Sequence, residues 1–556
     1  MGGGQDPDSQ SGNYRKPGIR LVNSFLYTFL KMRGISSLEI GLGVALVVAL
    51  VIGKLFSASR NAGRPPLPPG PKGLPLVGNL TDLPKPGELE AHHWIKHKEL
   101  YGPISSVTVM GQTIIILNDL ELAYELLEKR SVKHSSRPRQ IFGGEMVGWE
   151  NSLAMSQYGD RFRTYRKNMS RVIGSKAAAA QYDTLQEAEV GHLLLHVLDD
   201  PKSLMDHIRR QVFAYGYNPE PFKSDYLIDM VGKSMDEFAR AAVPGAFLVD
   251  IFPLLRHVPE WFPGTGWKQT AKDWHATLQS IAERPYAFVK HQMAQGKDTS
   301  SFVSHLISGG DLTPEEEFNT KWSALSMYAG GADTTVSSIA CFFLAMAVFP
   351  ESQRKAQEEI DRVVGQDRLP NVSDRPNLPY VEALVKEVLR WHPVAPMGLP
   401  HTSSEDDVAE GYFIPKDALL LANIWHFTHD SSVYEEPMEF KPERFIASDG
   451  REPAPDPHKF VFGFGRRVCP GRMLADSALF ITVAQSLAAL RIGKEIVDGK
   501  EVEPTVKFTP GIVSHPEHYE ISIKPRSPHH EKLIRAVEKT HPWQESDAKI
   551  LESMNF

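Results

Sequence analysis

Residues 462–471 read Phe-Gly-Phe-Gly-Arg-Arg-Val-Cys-Pro-Gly, and the apolar stretch that follows from Met473 predicts a long helix. The chain contains two cysteines, and one of them, Cys469, lies in this glycine-rich loop just before the helix. The positive end of a helix dipole favours the ionised, metal-binding form of sulfur. Glycines let backbone amides approach that sulfur, and Pro470 suits the start of a helix.

Cys469 has no cysteine or histidine partner close to it in the sequence. Structural zinc takes four ligands, so a single thiolate does not suit a zinc site. A single axial thiolate does suit haem iron. The alternative is a buried and inert cysteine, which is a common state of a lone thiol.

The positions of Phe462, Gly465, Arg467, Cys469 and Gly471 match the haem-binding signature F-x-x-G-x-R-x-C-x-G. On this motif the chain resembles the cytochromes P450. The resemblance implies a mainly α fold with small β-sheets, preceded by an N-terminal transmembrane helix. It also implies a haem b cofactor held by Phe462, Arg467, Cys469 and Gly471. Cys469 would be the axial ligand of the iron, Phe462 would shield the sulfur, and Arg467 would meet a haem propionate.

Residues 330–335 read Gly-Gly-Ala-Asp-Thr-Thr within a stretch of helical periodicity from about 320 to 348. Each glycine in a helix interior costs about 1 kcal/mol relative to alanine, so some gain should compensate. The segment resembles the oxygen-binding groove of the P450 family, in which small residues leave room for dioxygen. The resemblance makes Asp333 a candidate proton relay and Thr334 a candidate hydrogen-bonding group in the groove. The alternative is a helix-packing site with a solvated Asp333.

Glu387 and Arg390 are three residues apart on a predicted helix, and Pro442-Glu-Arg-Phe445 follows about fifty residues later. Opposite charges at this spacing lie on one helix face, which alone is a weak signal. Together the two segments resemble the E-x-x-R and P-E-R-F elements of the family. The resemblance assigns a structural role to Glu387, Arg390 and Arg444.

Residues 158–167 resemble the helix in which P450s use W-x-x-x-R to place an arginine against a haem propionate. Phe162 stands where the family has tryptophan, which removes an indole N–H, whereas Arg166 keeps its guanidinium. His401 occupies another position at which the family often contacts a propionate. The alternatives are a solvated basic helix face for Arg166 and a structural role for His401.

Composition narrows the class of protein. The chain has 556 residues, of which 42% are apolar and 23% charged, and this argues against extended disorder. The net charge of −7 gives no sign of a nucleic-acid partner. Two cysteines cannot build a disulfide framework, which fits a reducing compartment.

Residues 38–56 are uncharged except for Glu39 and Lys54, and a helix of that length spans about 28 Å, close to the hydrocarbon thickness of a bilayer. We predict an uncleaved transmembrane anchor here, with a cleaved signal peptide as the alternative. A polar and amphipathic extension, 1–37, precedes it. The proline-rich segment 57–80 reads as a stiff hinge. The P450 domain is predicted at 81–526, with a charged extension and a loose helix at 527–556.

Several shorter patterns predict local structure. Residues 106–117 indicate a β-hairpin that turns at Gly111. Short strands are expected at 411–414, 419–422 and 519–523. We expect the stretch 141–158, with Met146 and Trp149, to contribute to the mouth of a substrate pocket, as the corresponding loop does in the family.

Residues 249–263 are similar to fungal, basidiomycete-like P450s of secondary metabolism, a group related to the O-methylsterigmatocystin oxidoreductases. The resemblance implies that dioxygen and electrons are used to hydroxylate a hydrophobic small molecule, such as a terpenoid, polyketide or aromatic intermediate. The alternatives are desaturation, ring formation or rearrangement, and, in another class, a haem-binding protein without turnover.

No flavin- or NADPH-binding segment is visible in the sequence, so we expect electrons from a separate NADPH–cytochrome P450 reductase that docks near Arg466 and Arg472. The expected location is the endoplasmic reticulum membrane, crossed once, with the catalytic domain in the cytosol. Asn79, Asn168 and Asn371 head glycosylation sequons that should then stay unmodified.

Overall fold

A computed structural model describes residues 63–210, 215–243, 245–297, 301–448 and 450–554. The predicted extension 1–37, the predicted anchor 38–56 and residues 57–62 of the predicted hinge lie outside the described residues. Residues 67–556 belong to one compact unit.

Helices make up most of the described chain, as the sequence predicts. The α-helices are α1 (Glu90–Tyr101), α2 (Leu120–Ala123), α3 (Asp160–Ile173), α4 (Lys176–Ala180), α5 (Asp183–Asp199), α6 (Leu204–Arg209), α7 (Tyr226–Ala241), α8 (Leu248–Ile251), α9 (Gly266–Ala294), α10 (Phe302–Ile307), α11 (Pro314–Val348), α12 (Pro350–Val363), α13 (Pro379–Trp391), α14 (Ile424–His429), α15 (Arg472–Ala489), α16 (Pro528–Thr540) and α17 (Ala548–Ser553). Short 3-10 turns at Pro442–Phe445, Pro457–Lys459 and Gly465–Arg467 lead toward α15.

The strands form small sheets. They are β1 (Ile104–Val109), β2 (Gln112–Leu117), β3 (His401–Thr402), β4 (Asp407–Ala409), β5 (Tyr412–Ile414), β6 (Leu419–Ala422), β7 (Leu490–Val497), β8 (Lys500–Val502) and β9 (Ile521–Pro525). The largest sheet has the order β1-β2-β6-β3, and the other two are β4-β5 and β8-β7-β9.

The predicted hairpin at 106–117 is confirmed. Val109 pairs with Gln112, and the two residues between them, Met110 and Gly111, have φ of 50° and 89°. Positive φ at both positions is typical of the tight turn whose twist matches that of the paired strands. The strands expected at 411–414 and 419–422 are also present, whereas the last strand lies slightly later, at Ile521–Pro525.

Helix α11 is the central helix of the fold. It begins before the predicted segment because Thr313 and Glu316 form a reciprocal capping box and Pro314 occupies the first turn. Of the described helices, this one is long and apolar enough to cross a membrane, but 67% of its most apolar window is buried inside the protein. It packs against α3, α9 and α15, and is therefore the core around which the site is built.

The C-terminal segment is part of this compact unit. Helix α16 packs on α5, with Ile534 and Val537 buried, and a side chain added at Gly191 would lie 2.7 Å from Val537. Asp547 accepts a hydrogen bond from the Asn218 amide at 3.0 Å. The helix predicted after residue 527 is confirmed, but the prediction that it is loose is wrong, because its apolar face is buried against the core.

Candidate active site

Cys469 lies between the turn Gly465–Arg467 and the start of α15. Its amide donates to the Phe462 carbonyl at 2.8 Å, which closes the loop. Burial raises the pKa of the Cys469 thiol, and a hydrogen bond from the Gly471 amide, together with the charges of Arg166 and Arg472, opposes that rise. A thiol in such surroundings ionises when a metal cation binds to it.

The shape of the cysteine loop depends on Gly465. Its φ is 51°, a left-handed conformation, and an added Cβ would lie 2.4 Å from the Leu127 carbonyl oxygen and 3.0 Å from the Glu128 Cα. No larger residue fits this position without movement of the backbone. The loop is therefore pressed against the turn that contains Leu127.

Cys469 opens into an internal cavity of about 380 Å³. Phe462, Gly471, Arg166, Arg467 and His401, all predicted cofactor-binding residues, line the same cavity, and so do Gly330, Gly331 and Thr334 of α11. The structure therefore brings every predicted cofactor-binding residue to one site.

Buried guanidinium groups at this cavity lack an anionic partner. Burial lowers the pKa of Arg467 to about 8 and that of Arg137 to about 9. Arg467 donates to the carbonyls of Ser135 and Ser156 at 2.7 Å, and Arg137 donates to the Pro400 carbonyl at 2.8 Å. Throughout the described part of the chain, neither arginine forms an ion pair with a carboxylate.

A buried charge without a counter-ion is costly, so these arginines fit a ligand that carries negative charge. Haem carries two propionates, and its iron accepts one axial thiolate. The residues that line the cavity therefore fit haem. Arg137 was not predicted, because nothing in the surrounding sequence distinguishes it from a surface arginine.

Phe162 takes a different role from the tryptophan it replaces. The Arg467 guanidinium lies 3.9 Å from the centre of the Phe162 ring, so the ring supports this arginine by a cation–π contact. Arg166, one turn further along α3, donates to the Val468 carbonyl at 2.5 Å. It is half-buried beside the cysteine loop, which argues against the solvated helix face.

His401 is buried at the edge of the cavity. Its Nδ1 lies 2.6 Å from the His134 carbonyl oxygen, which is consistent with a donor N–H at that nitrogen. Burial, with a smaller contribution from the charge of Arg137, holds the pKa of His401 well below its usual range. The ring is therefore neutral unless an anion binds beside it.

Helix α11 leaves free space beside it where it borders the cavity. A Cβ added at Gly330 or Gly331 would meet no atom within 4 Å, so these glycines border free space. The Thr334 hydroxyl donates to the Gly330 carbonyl at 2.6 Å. Asp333, the other predicted catalytic residue, does not line this cavity: its carboxylate lies 2.9 Å from His515 Nε2, in a separate cleft.

Glu387, Arg390 and Arg444 form one buried cluster. Arg390 donates both Nε and Nη2 to Glu387, at 2.7 and 2.9 Å, and Arg444 Nε donates to the same carboxylate at 3.1 Å. Each of the three side chains is at most 2% exposed. None of the three lines the cavity, so the cluster supports the fold around the site.

A second ionic cluster, which was not predicted, adjoins the cysteine loop. His458 lies 2.7 Å from Asp456 and 3.0 Å from Asp476 of α15, and Arg375 pairs with Asp476 at 2.8 Å. Burial by itself would lower the pKa of His458, but the two carboxylates outweigh it and raise that pKa to about 9. The sequence shows no signal for this cluster, because its members come from three separate segments.

The remaining lining of the cavity is largely apolar. It includes Leu153, Ala154, Met327, Val336, Val394 and Leu399. Leu153 and Ala154 belong to the stretch 141–158 that was expected to contribute. Trp149 and Met146 do not line the cavity; Trp149 instead packs against Phe238, with ring centres 4.6 Å apart.

Comparison with known proteins agrees with this geometry. The cytochrome P450 family model matches residues 68–523. The chain is 47% identical over 520 residues to the cytochrome P450 monooxygenase claR of Ampulloclitocybe clavipes, covering 92% of this chain and 95% of that protein. It is 47% identical over 500 residues to the cytochrome P450 monooxygenase ppsD of Aspergillus oryzae, covering 88% and 94%.

The chain is also 43% identical over 512 residues to the O-methylsterigmatocystin oxidoreductase of Aspergillus flavus, covering 91% of this chain and 96% of that protein. The predicted likeness to this group is thereby confirmed. A family match over most of the chain, relatives of nearly full coverage and a cysteine at the head of α15 agree, and the chain belongs to the cytochrome P450 family as an oxidoreductase of the monooxygenase type.

Proposed function

We propose that this P450 hydroxylates a hydrophobic small molecule of fungal secondary metabolism, inserting one oxygen atom from dioxygen, and that its cofactor is haem b. One observation carries the proposal: a single cavity joins the Cys469 sulfur to buried arginines that lack an anion. When bound there, haem supplies the activation of dioxygen, which a thiolate ligand promotes by donating electron density. Arg137, Arg166, Arg467 and His401 would hold the propionates, and Phe462 would cover the sulfur.

The chain itself contributes the surroundings of the reaction. The apolar lining binds a substrate of low polarity and excludes water from it. The charged side chains that line the cavity are the propionate-binding arginines and Asp476, which is already paired with Arg375 and His458. An uncharged terpenoid, polyketide or aromatic intermediate therefore suits the pocket. Thr334 places a hydroxyl group beside the open space at Gly330, where it can hold a proton.

The experiment that tests this proposal combines spectroscopy with isotope labelling. The protein is produced in microsomes with NADPH–cytochrome P450 reductase and offered candidate scaffolds under labelled dioxygen. We expect the reduced, carbon monoxide-bound protein to show the thiolate-haem absorption band and the product to carry one labelled oxygen atom. C469S should lose this band, whereas C341A, which changes the other cysteine, buried in α11, should keep it.

Two other outcomes would contradict the proposal. A product without label would reject hydroxylation in favour of desaturation, ring formation or rearrangement. The thiolate-haem band without NADPH consumption for any scaffold would contradict the proposal and favour a haem-binding protein without turnover.

The proposed electron donor is a separate NADPH–cytochrome P450 reductase that docks beside the cysteine loop. Arg466 and Arg472 flank Cys469 and are exposed, and the Arg466 guanidinium lies 5.3 Å from the centre of the Tyr158 ring. Exposed charges of one sign raise association rates with an oppositely charged partner. We expect R466E to slow reduction of the haem at low salt without changing the thiolate-haem band, since Arg466, unlike Arg472, is not one of the charges that favour the Cys469 thiolate. K500E, an exposed charge reversal on β8, is the matched control.

The proposed location is the endoplasmic reticulum membrane, with this domain in the cytosol. Supporting evidence comes from an exposed apolar surface between α7 and α9, which we call the apolar loop: Leu248, Phe252, Leu254, Trp261 and Phe262 are 48–81% exposed. Exposed apolar clusters of this kind mark surfaces that bind partners or membranes. For the orientation, Asn371 is the informative sequon, because Asn79 and Asn168 are only 4% and 8% exposed. Glycosylation at Asn371 would place the domain in the lumen.

A further inference from the structure

Asp333 and Thr334 are consecutive residues that face different spaces. Thr334 lines the cavity that contains Cys469, whereas Asp333 lines a second cleft of about 510 Å³. His515 lines this second cleft as well, and its Nε2 lies 2.9 Å from Asp333 Oδ1. The two side chains are 22% and 26% exposed, so solvent in the cleft reaches the pair. Helix α11 therefore stands between solvent and the cavity at Asp333.

The imidazole of His515 is carried by a loop that is fastened to α11. The Thr509 hydroxyl accepts from the His515 amide at 2.9 Å, and the Thr509 amide donates to the His515 carbonyl at 2.8 Å. Next to it, the Ser514 carbonyl accepts from the Ser337 hydroxyl of α11 at 2.6 Å. These bonds fix the position of His515 relative to Asp333, which lies on α11 one turn before Ser337.

We propose that His515 is the proton-transferring partner of Asp333, and that protons enter the reaction from the second cleft through this pair. The proposal rests on the monooxygenase function above. Conversion of substrate and dioxygen to hydroxylated product and one water consumes two electrons, which come from NADPH through the reductase, and two protons. For each proton, the Nε2–H of the imidazolium donates to the Asp333 carboxylate, and water in the cleft reprotonates the ring. The resulting Asp333 carboxylic acid gives its proton to the adjacent Thr334 hydroxyl oxygen, while that hydroxyl releases its own proton into the cavity, so that Asp333 is a carboxylate again before the next transfer.

Other titratable side chains share the cleft and are potential competitors for this role: Lys202, Arg209, Asp236, Glu517, His518, Tyr519 and Glu520. Among the described residues, His515 is the partner that forms an ion pair with Asp333. His518 instead pairs with Glu520 at 2.8 Å, and its side chain is 80% exposed. His518 is therefore the matched control, a histidine in the same cleft that does not touch Asp333.

The first test measures the pair without turnover. The protein is labelled with ¹³C-histidine, loaded with haem and held in the reduced, carbon monoxide-bound state, and the His515 signal is identified by its loss in H515Q. We expect D333N to change the chemical shift of the His515 ring at constant pH, because it removes the carboxylate that the ring contacts at 2.9 Å. The His518 signal should stay unchanged. An unchanged His515 signal in D333N would overturn the proposal.

The second test separates proton delivery from folding. With 7-ethoxycoumarin as the probe, H515Q, H518Q and wild type are compared in two reactions, one driven by NADPH and reductase and one by cumene hydroperoxide. The hydroperoxide brings its oxygen already reduced and protonated, so it bypasses the relay. We expect H515Q to lose at least about tenfold in the NADPH-driven rate and less than about twofold in the peroxide-driven rate. H518Q should match wild type in both.

Equal NADPH-driven rates in H515Q and wild type would reject the proposal, and an equal loss in both reactions would show that His515 is only structural. A wild-type protein that consumes no NADPH with any scaffold would instead reject the proposed function, and the His515 signal in D333N would still decide whether the pair exists.

Discussion

At the scale of single residues, the site depends on what surrounds one sulfur atom. The Gly471 amide and two arginine charges favour the thiolate of Cys469, while burial opposes it. The other cysteine, Cys341, has no such surroundings, and burial raises its pKa to about 12. The surroundings of the same residue type therefore suit a metal ligand at one position and an inert core residue at the other.

The close approach at Gly465 leads to a prediction. G465A would place a methyl group 2.4 Å from the Leu127 carbonyl oxygen and keep a positive φ that alanine disfavours. We expect a loss of roughly 2–4 kcal/mol in the free energy of unfolding and a large loss of thiolate-haem absorption. Both are measured on purified protein. G266A, where an added Cβ meets no atom within 4 Å, should leave both unchanged; wild-type haem content in G465A would contradict this interpretation of the loop.

At the scale of secondary-structure elements, the site lies where several helices and the cysteine loop meet. Helix α11 borders the cavity with Gly330 and Thr334, α3 contributes Arg166, and α15 begins immediately after the cysteine loop. Two ionic clusters adjoin this junction. Glu387–Arg390–Arg444 joins α13 to the turn Pro442–Phe445. His458–Asp456–Asp476 joins the turn Pro457–Lys459 to α15, so each cluster links two segments that are distant in the sequence.

The buried triad is expected to be costly to break. E387Q leaves Arg390 and Arg444 buried without their counter-charge, and we expect a loss of about 3–5 kcal/mol in the free energy of unfolding. Urea unfolding followed by circular dichroism measures it. E443Q is the control, because Glu443 pairs with Lys355 at a half-exposed position, and its loss should stay near or below about 1 kcal/mol. A similar small loss in E387Q would show that the triad does not hold the fold.

The histidine cluster predicts a dependence of stability on pH. Because the folded-state pKa of His458, about 9, exceeds the usual value of 6.5, its contribution is fully present below about pH 6.5 and is lost as the pH rises toward 9. We expect H458Q to lower the free energy of unfolding by on the order of 3 kcal/mol at pH 6, with the difference from wild type shrinking by pH 9. Chemical unfolding across this range measures it, with exposed H529Q as the control. A difference independent of pH would contradict the assigned cause.

At the scale of the whole molecule, the compact unit 67–556 carries two features that none of its elements shows alone. One is the separation of the cysteine-containing cavity from the solvent-accessible cleft by α11. The other is the apolar loop, which leaves large side chains such as Trp261, 79% exposed, at the surface. The separation by α11 is relevant to how protons reach the cavity. The apolar loop is relevant to where the protein resides in the cell.

The apolar loop predicts membrane binding that does not depend on the N-terminal segment. A protein lacking residues 1–62 should still sediment in part with lipid vesicles, because the loop buries its side chains at the bilayer interface. L254E/W261E/F262E in this truncated protein should reduce the vesicle-bound fraction severalfold. I496E, a charge at an exposed apolar site on β7, should not. Full solubility of the truncated protein in the presence of vesicles would contradict membrane binding by the loop.

The family, the central helix and the β1–β2 hairpin could all be predicted from the sequence alone, and so could the candidate ligand Cys469. These features rest on local signals: the loop motif at 462–471, helical periodicity in α11 and the turn at Gly111. Local signals survive in the fold because the physical causes, backbone conformation and periodic burial, act between residues that are close in the chain.

Which charged groups contact one another became apparent only from the folded chain. In the structure, Arg137 and the His458 cluster adjoin the site, and the C-terminal helix α16 packs against α5. The Asp333 carboxylate lies beside His515 and outside the cavity that Thr334 lines. Burial and ion pairing depend on segments separated by up to several hundred residues, and the energy of a charge depends on its surroundings rather than on its neighbours in the sequence. For that reason the motifs were sufficient to predict the haem site of this P450, whereas the pairing of Asp333 with His515 could not be predicted from them.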